Sequence, residues 1–303
     1  MMPETTDVET INRRRMNVVL GVAVLLASSP ILISYFVLIA SSFTNQMITG
    51  GIMGQLIFTL QNWVLFFEGK LTVTAASVLS FWNILHYILN TFIVAFGVMI
   101  VVTVLATLAG YACSRMRFKG RKFLIQLLIL LHAFPGVSLI IAVYALYIFS
   151  KQPLPQNLWT FYAFLYVIVA RAALEVPMDV WIMKGFFDKV PWEVEWSALI
   201  DGASRIKVWK DIILPLVKPG IAAIAIFSFM AGWGALIYVM VFLPATEKTL
   251  ATYIAGLLAG GSLEVVHLPI VAAAGTFYLI PTLAFFTFVR RYMLQTSLSG
   301  IKG

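Results

Sequence analysis

The sequence is poor in the residues that build metal sites and reactive centres. Of 303 residues, one is cysteine, three are histidine, and charged residues make up 11%. The single cysteine, Cys113, excludes an intramolecular disulfide and a cysteine metal cluster. His86, His132 and His267 are too far apart to form a zinc-ligand pattern. We therefore expect no metal ligands and no catalytic residues in this chain.

Motifs of nucleotide hydrolysis and covalent catalysis are missing as well. The sequence has no Gly-x-x-x-x-Gly-Lys-Ser/Thr phosphate loop, so we expect that it does not bind and hydrolyse ATP by that route. It also has no Ser-His-Asp, Cys-His or HExxH arrangement. These absences argue against an enzyme, and we expect no cofactor in this chain.

Apolar residues dominate what is there. They make up 61% of the chain, with a mean hydropathy of +0.95, whereas a soluble domain is about half apolar and about a quarter charged. A helix needs about 20 mostly apolar residues to cross the hydrocarbon core of a bilayer. By that measure we predict an all-α membrane protein with six transmembrane helices, at about 18–40, 84–113, 123–149, 158–182, 221–243 and 268–289.

The formal charge of +8 is explained by membrane topology rather than by a nucleic-acid partner. Lys and Arg occupy short connections between apolar runs, without the aromatic-interleaved basic domain of a nucleic-acid-binding protein. They concentrate before span one and after spans two, four and six, whereas the opposite connections contain only Lys70, Lys151 and Lys248. By the positive-inside rule, we expect both termini and the connection after span four to be cytoplasmic.

The chain is expected to divide after its first external loop. Residues 1–83 comprise a cytoplasmic N terminus, the first transmembrane helix and that loop; residues 84–303 comprise a core of five transmembrane helices. The first span exceeds the about 7–15 apolar residues of a signal peptide, so we expect a retained anchor. Apolar and aromatic residues in the external connections at 41–83 and 244–267 predict packed helical pieces, which either meet another protein or fold back on the bundle.

A polar stretch at 194–220, "VEWSALIDGASRIKVWKDIILPLVKPG", stands between two apolar runs. Pro191 suits the first turn of a helix, and Glu193 and Glu195 follow where negative charge favours the helix dipole. Gly202 then breaks the helix, and Ser204 can cap a second one. The stretch therefore predicts two short helices joined by a tight turn.

The second of these helices is predicted to be amphipathic. Ile206, Trp209 and Ile213 recur at steps of three and four residues, so we expect them to form an apolar stripe that rests on the bundle. The resulting helix–turn–helix elbow has a second face, for which two interpretations remain open. It either docks a partner protein or lies on anionic lipid headgroups.

The elbow carries a family resemblance. "ALIDGAS" at 198–204, followed by "IILPL" at 212–216, resembles the cytoplasmic loop of ABC importer permeases, which reads Glu-Ala-Ala, three residues, Gly, nine residues, Ile-x-Leu-Pro. Nine residues separate Gly202 from Ile212 here as well. One position departs, because Trp196 stands where the family has its glutamate, and Glu193 or Glu195 are candidates to replace that carboxylate.

The resemblance implies that the elbow, within a coupling loop at 185–219, contacts an ATPase. The implied coupling residues are Glu193, Glu195, Trp196, Ser197, Ala198, Asp201, Gly202, Ala203, Leu214 and Pro215.

Other segments agree with the same family. "LNTF" at 89–92, "LAGYACSRMRFKG" at 108–120 and "MKGFFDKVP" at 183–191 resemble its second span and the approach to its elbow. The ending "SLSGIKG" at 297–303 is similar to the Gly-x-x-Lys-Gly ending of maltose-type sugar permeases. That similarity implies that the tail at 291–303 reaches the ATPase through Gly300, Ile301, Lys302 and Gly303.

The chain resembles the carbohydrate permeases of the maltose and glycerol-phosphate type, in particular the maltose-type second permease subunit. The resemblance implies the type I ABC importer permease fold. The resemblance implies an ATP-driven importer of a sugar or sugar derivative in a bacterial or archaeal plasma or inner membrane. It also implies a second homologous permease, an ATPase dimer that binds ATP and Mg, and an extracytoplasmic substrate-binding protein. An ion-gradient-driven secondary transporter and a non-transporting membrane scaffold remain as alternatives.

Polar and aromatic residues within the spans are the candidates for the substrate pathway. Arg171 and Glu175 lie four residues apart in span four, where a charge is costly and often functional. They either pair with each other, or Arg171 lines a cavity that favours an anionic or highly hydroxylated substrate. Three aromatic side chains either stack on sugar rings or pack in the bundle. The candidates are Arg171, Glu175, Tyr144, Trp233 and Tyr238.

Overall fold

The computed structural model describes residues 4–48, 56–69, 80–259 and 268–299. Regular structure in these ranges is helical, apart from one isolated antiparallel bridge between Thr44 and Phe58. The helical content confirms the all-α class. The helices are α1 (Glu4–Ser42), α2 (Gln61–Glu68), α3 (Phe81–Arg115), α4 (Arg121–His132), α5 (Gly136–Lys151), α6 (Trp159–Asp188), α7 (Trp192–Ile200), α8 (Arg205–Leu216), α9 (Lys218–Trp233), α10 (Leu236–Phe242), α11 (Leu250–Ala259) and α12 (Leu268–Ser299).

The described helices account for four to six membrane spans. Four segments are long and apolar enough to cross a bilayer alone: Met16–Ser42 of α1, α3, Gln156–Asp188 with α6, and Leu268–Phe285 of α12. Two bent pairs meet the same standard together, α4 with α5 and α8 with α9. Counting each pair as one span gives six, the number that the sequence predicts, although the second pair includes the elbow helix α8 and covers only the first part of the predicted span at 221–243.

The third predicted span, at 123–149, is two helices rather than one. α4 and α5 meet at an angle of 98°, with the break at residues 133–135. Pro135 lacks an N–H and disfavours a helical conformation at the residue before it, so the α4 hydrogen-bond ladder stops there. Pro135 itself is extended (φ −63°, ψ 117°) and starts α5.

The fifth predicted span, at 221–243, is also interrupted. α9 ends at Trp233, and α10 begins at Leu236. In the gap the Leu236 N–H donates to the Gly234 carbonyl at 2.7 Å, a tight turn that breaks the helical ladder. The glycine after Trp233 marks this break in the sequence.

The chain forms two compact units. The first combines Met1–Leu79 with Gly261–Phe277. Within it, the Asn62 side chain donates to the carbonyls of Ser42 (3.1 Å) and Thr44 (2.8 Å), which fastens α2 to the end of α1. Phe66, at the other end of α2, packs on Phe277. The connection at 41–83 therefore contains a packed helix, as predicted.

The second unit combines Ser80–Gly260 with Tyr278–Gly303. Here α3 packs along α6, and α9 packs against both. The approach of α3 to α6 is close, since a Cβ added at Gly110 would lie 2.7 Å from the Met183 Cβ. A glycine is required there because the two helices leave no room for a side chain. This three-helix contact holds the ends of the helices from which the elbow projects.

Candidate functional site

The elbow consists of α7, a glycine turn and α8. α7 begins after Pro191 and ends at Ile200. Gly202 has φ +85°, in the left-handed region, and its N–H donates to the Leu199 carbonyl at 3.1 Å. A glycine in this conformation satisfies the last carbonyls of a helix and reverses the chain. The Ser204 hydroxyl then accepts from the Lys207 N–H at 3.4 Å and caps α8, as the sequence predicts.

The buried face of α8 differs from the prediction. Residues Val208–Ile213 are wound as a π-helix, in which a residue and the fifth one after it lie on the same face. Val208 and Ile213 are accordingly buried, whereas Ile206 is 77% exposed. The predicted stripe is therefore wrong at Ile206, because it assumed 3.6 residues per turn throughout.

Glu195 is turned into the protein. It is buried, the Tyr111 hydroxyl donates to its Oε1 at 2.9 Å, and its Oε2 lies 3.6 Å from Arg115 Nε. The carboxylate thus fastens α7 to the C-terminal end of α3. Of the two carboxylates that were candidates to replace the missing signature glutamate, Glu193 is the one that is exposed.

Arg115 joins three helices at this end of the bundle. Its side chain is 2% exposed and donates through Nη2 to the carbonyls of Phe187, in α6, and Val190. Its guanidinium also lies 4.4 Å from the centre of the Trp192 ring, at the start of α7. Sequence reasoning assigned no role to Arg115. One feature of the sequence could have indicated its role: Arg115 is a basic residue at the end of an apolar run, four residues after Tyr111.

The elbow exposes three large apolar side chains. Trp196 is 58% exposed, Ile200 85% and Ile206 77%. Exposed apolar patches of this kind mark sites of protein or membrane interaction. Among the predicted coupling residues, Ser197, Asp201, Gly202 and Pro215 are also exposed, and Ala198, Ala203 and Leu214 are partly buried. Gly300, Ile301, Lys302 and Gly303 lie outside the described residues, so their ATPase contact stays a prediction.

Arg171 and Glu175 form an ion pair within α6. Arg171 Nη1 lies 2.6 Å from Glu175 Oε1, and Arg171 Nε donates to the Ala231 carbonyl of α9 at 3.1 Å. Both side chains are about one-fifth exposed. Asp179, one turn further along α6, is buried, and its Oδ2 has no hydrogen-bond partner among the described residues. The pairing is thus present, and Arg171 keeps some exposed surface as well.

The three candidate aromatic residues differ in burial. Trp233 is 2% exposed and donates through Nε1 to the Tyr278 carbonyl at 3.2 Å. Tyr238 is also buried, and its hydroxyl donates to the Gly136 carbonyl at 3.0 Å. Burial favours the packing interpretation for both. Tyr144 is 44% exposed and leaves part of its ring free for a ligand.

A second polar cluster fastens the connection after α10 to the other end of α3. Glu247 Oε2 accepts from Asn90 Nδ2 at 3.1 Å and lies 2.7 Å from His86 Nε2. Three residues later, the Leu250 N–H donates to the Thr91 hydroxyl at 2.8 Å. These bonds set where α11 begins. Sequence reasoning missed them because each joins residues about 160 positions apart.

Known proteins share both the sequence and the fold of this chain. Residues 102–296 match the family described as binding-protein-dependent transport system inner membrane component. The chain is 32% identical to the maltodextrin transport system permease protein MdxG of Bacillus subtilis, over 72% of this chain and 76% of that protein. It is 28% identical to the diacetylchitobiose uptake system permease protein DasC of Streptomyces coelicolor, over 78% and 81%.

The fold similarity extends over nearly the whole chain. A bacterial ABC transporter involved in the import of the acidic polysaccharide alginate contains a chain that superposes with a TM-score of 0.68, at 16% identity, over 96% of this chain and 99% of that chain. At this identity the likeness establishes a shared fold.

Proposed function

Because this chain belongs to the family of binding-protein-dependent transport system inner membrane components, we propose that it is the permease subunit of an ATP-driven importer for a sugar or sugar derivative. The observation that carries the proposal is the family match itself, which spans the elbow and most of the described membrane helices. Relatives named for maltodextrin and diacetylchitobiose transport support the carbohydrate class. The chain is a transport subunit rather than an enzyme.

The energy comes from a separate ATPase pair that binds ATP and Mg. We place its docking surface on the exposed part of the elbow, where Trp196 and Ile200 offer apolar contact area. Glu193, exposed in the first turn of α7, supplies the carboxylate for an ionic contact with the ATPase. The tail at Gly300–Gly303 reaches between the two ATPase subunits and makes a second contact with them.

Movement of the elbow passes to the bundle by two routes. The first is the Glu195 carboxylate, held by Tyr111 and Arg115 of α3. The second is Val217, which is all that separates α8 from α9. When ATP binding draws two ATPase subunits together, the elbow moves with them, and α3 and α9 shift relative to their counterparts in a second permease. This exchange of inward-open and outward-open states carries the substrate across.

A second, homologous permease completes the pathway. In the span Met16–Ser42, none of the most apolar stretch is buried, which provides surface for lipid and for that subunit. A binding protein delivers the substrate at the face opposite the elbow, where Glu247 and His86 fasten the connection that leads to α11. This assignment places both termini and the elbow in the cytoplasm of a bacterial or archaeal cell.

Arg171, Glu175 and Tyr144 are the pathway residues that remain partly exposed. Arg171 suits a substrate with anionic or closely spaced hydroxyl groups, because a guanidinium donates several hydrogen bonds in a fixed geometry. Glu175 holds that guanidinium in place. Tyr144 provides a ring for stacking against a sugar.

The test is purification of the tagged chain from its native membrane, followed by reconstitution. We expect an ATPase and a second permease to co-purify, and oligosaccharide uptake to require ATP hydrolysis and the binding protein. Uptake that persists without ATP hydrolysis and collapses with the ion gradient would identify a secondary transporter. Absence of uptake together with absence of an ATPase would identify a scaffold.

A further inference from the structure

The connection between α3 and α4 concentrates positive charge without an acid nearby in the sequence. Arg117, Lys119, Arg121 and Lys122 lie within six positions, and the sequence has no Asp or Glu at 69–174. Within the part of the chain that the structure describes, none of the four bases forms an ion pair. The positive charge of this connection is therefore not cancelled by the protein itself.

The four bases line one open concave surface. The Arg121 Nη1 donates back to the carbonyls of Ser114 (3.4 Å) and Met116 (3.3 Å), which ties the start of α4 to the end of α3. The concave surface at 117–123 encloses a volume of about 670 Å³. Ligand pockets have volumes of about 300–1,000 Å³. The surface is thus large enough to receive a molecular group.

This basic surface, made of the four bases and two phenylalanines at 117–123, also has apolar character. Arg117, Lys119 and Lys122 are exposed, so their charged groups are free to meet a ligand. Phe118 is 42% exposed and Phe123 68%, and both line the same concave surface. A ligand that fits it combines negative charge with an apolar portion.

The basic surface lies where membrane segments end. The candidate span Phe81–Arg115 stops just before it, and α4, the first half of a bent candidate span, starts within it. α4 then runs inward to His132, whose Nδ1 lies 3.3 Å from the Leu174 carbonyl in α6. Arg115 contacts Glu195 of α7, so the basic surface is on the same side as the elbow. No side chain of α4 is buried, which leaves that helix open to lipid.

We propose that the basic surface binds the headgroup of an anionic phospholipid, of the phosphatidylglycerol type. The phosphate accepts hydrogen bonds from Arg117, Lys119 and Lys122, and the acyl chains lie along Phe123 and the exposed side of α4. Arginine and lysine form charge-assisted hydrogen bonds with phosphate, and bases beside a membrane helix attract anionic lipids. Assignment to the cytoplasmic leaflet rests on the proposed function, whereas binding itself does not depend on orientation.

Charge selects an anionic lipid over a zwitterionic one. A zwitterionic headgroup adds a positive charge, and the residues at 117–123 include no acid that could pair with it. The elbow differs, because its residues at 192–218 include four acids and four bases and have no net charge. The unbalanced charge of the chain on this side therefore lies at the connection between α3 and α4.

The apolar side chains that follow favour a lipid over an acidic protein. Phe123 and Leu130, which is 58% exposed, continue from the basic surface along a helix that enters a candidate span. A phospholipid covers both the bases and these side chains with one molecule. A soluble acidic protein reaches only the bases.

Binding is measured by native mass spectrometry on the chain purified in detergent, together with any subunits that co-purify. The probes are dioleoyl phosphatidylglycerol, phosphatidylcholine and phosphatidylethanolamine, each added at the same concentration. We expect wild-type protein to retain phosphatidylglycerol about tenfold more than either other lipid. Raising ammonium acetate from about 0.1 M to about 1 M should remove most of this preference, because the Debye length falls from about 10 Å to about 3 Å. The readout needs no transport, so its failure is distinct from failure of the proposed function.

A triple variant tests the three exposed bases. Arg117→Gln, Lys119→Gln and Lys122→Gln combined should reduce the preference for phosphatidylglycerol to about twofold or less. Exposed side chains are replaced, so the variant should fold. The matched control removes the same charge from three exposed lysines of α8 and α9: Lys207→Gln, Lys210→Gln and Lys218→Gln. It should keep the wild-type preference.

Three outcomes would overturn the proposal. The first is equal retention of the three lipids by wild-type protein. The second is an equal fall in the triple variant and its control, which would assign the preference to overall charge. The third is unchanged phosphatidylglycerol retention in the triple variant together with loss of a co-purifying ATPase, which would assign the basic surface to an acidic protein.

Discussion

Arg115 Nε and Glu195 Oε2 lie 3.6 Å apart, with the side chains 2% and 10% exposed, and join the end of α3 to the first turns of α7 across 80 positions of sequence. Removing one partner of a buried ion pair strongly destabilises the protein, because the other charge is left buried without a counterpart. The pair therefore makes the position of α7 depend on α3.

This dependence predicts a large stability loss in Glu195→Ala. The free energy of unfolding should fall by about 3–5 kcal/mol, since Arg115 is left buried and unpaired. Tyr111→Phe removes only a hydrogen bond to the same carboxylate and should cost about 1.5–3 kcal/mol. Denaturant titration in detergent measures both. Glu193→Ala, an exposed carboxylate two residues away, is the control and should change stability by less than about 0.5 kcal/mol. Equal losses at Glu193 and Glu195 would contradict the role of the buried pair.

Gly202 offers a test of docking that is separate from backbone strain. Gly202 (φ +85°) and Gly120 (φ +86°) share the left-handed conformation, and a Cβ at either meets nothing within 4 Å. Alanine should therefore cost about 1–2 kcal/mol at each position. Tryptophan should differ, because at Gly202 it projects from the proposed ATPase surface.

The measurement is sugar uptake per ATP hydrolysed in the reconstituted importer. Gly202→Trp should lower this ratio at least about tenfold, which is the effect of losing a single interface hot spot. Gly120→Trp should leave the ratio within about twofold of wild type, because Gly120 lies outside the proposed ATPase surface. Full coupling in Gly202→Trp would mean that the elbow is only a connector.

Arg171 and Glu175 can be separated by a double variant. Arg171→Ala should lower stability by about 1–3 kcal/mol because Glu175 is left without its partner, and adding Glu175→Ala should restore most of it. If Arg171 also contacts substrate, as proposed, KM for uptake in the double variant should remain about tenfold above the wild-type value. That increase corresponds to the loss of one charge-assisted hydrogen bond. A wild-type KM in the double variant would assign the pair to packing alone.

The close contact of α3 with α6 predicts opposite effects for two glycine substitutions. Gly110→Ala should destabilise by about 1–3 kcal/mol, since the new Cβ would lie 2.7 Å from the Met183 Cβ. Gly185→Ala should stabilise by up to about 1 kcal/mol, because Gly185 lies within α6 with nothing near its Cβ and alanine is the better helix former. Thermal unfolding of the two purified variants compares them. Stabilisation by Gly110→Ala would mean that α3 and α6 leave room for a side chain, and destabilisation by Gly185→Ala would contradict the open surroundings of Gly185.

The ends of the elbow helices were predictable because capping is local. Pro191, Gly202 and Ser204 act on residues within four positions of themselves, and the structure has them where the sequence predicts. The membrane helices were predictable for a similar reason, since their apolar composition suffices to identify them.

Three features were not predictable from local pattern. The π-helical winding at Val208–Ile213 changes which residues are buried without changing which residues are apolar. The inward orientation of Glu195 depends on Arg115, which lies in another part of the chain. Trp233 and Tyr238 resemble ligand-stacking residues in sequence, and only their hydrogen bonds to Tyr278 and Gly136 reveal a packing role.

The junction at Val217 gives the elbow a mechanical property. Val217 N–H donates to Ile213 O and Val217 O accepts from Ile221 N–H, so hydrogen bonds continue across the 75° corner between α8 and α9. The Val217 side chain is also buried. We therefore expect the corner to resist flexing, so that α8 and α9 rotate together. With an arm of about 18 Å for the twelve residues of α8, a displacement of about 5 Å at its far end rotates α9 by roughly 16°. In the proposed importer, a small inward displacement of the elbow would thereby tilt a membrane helix.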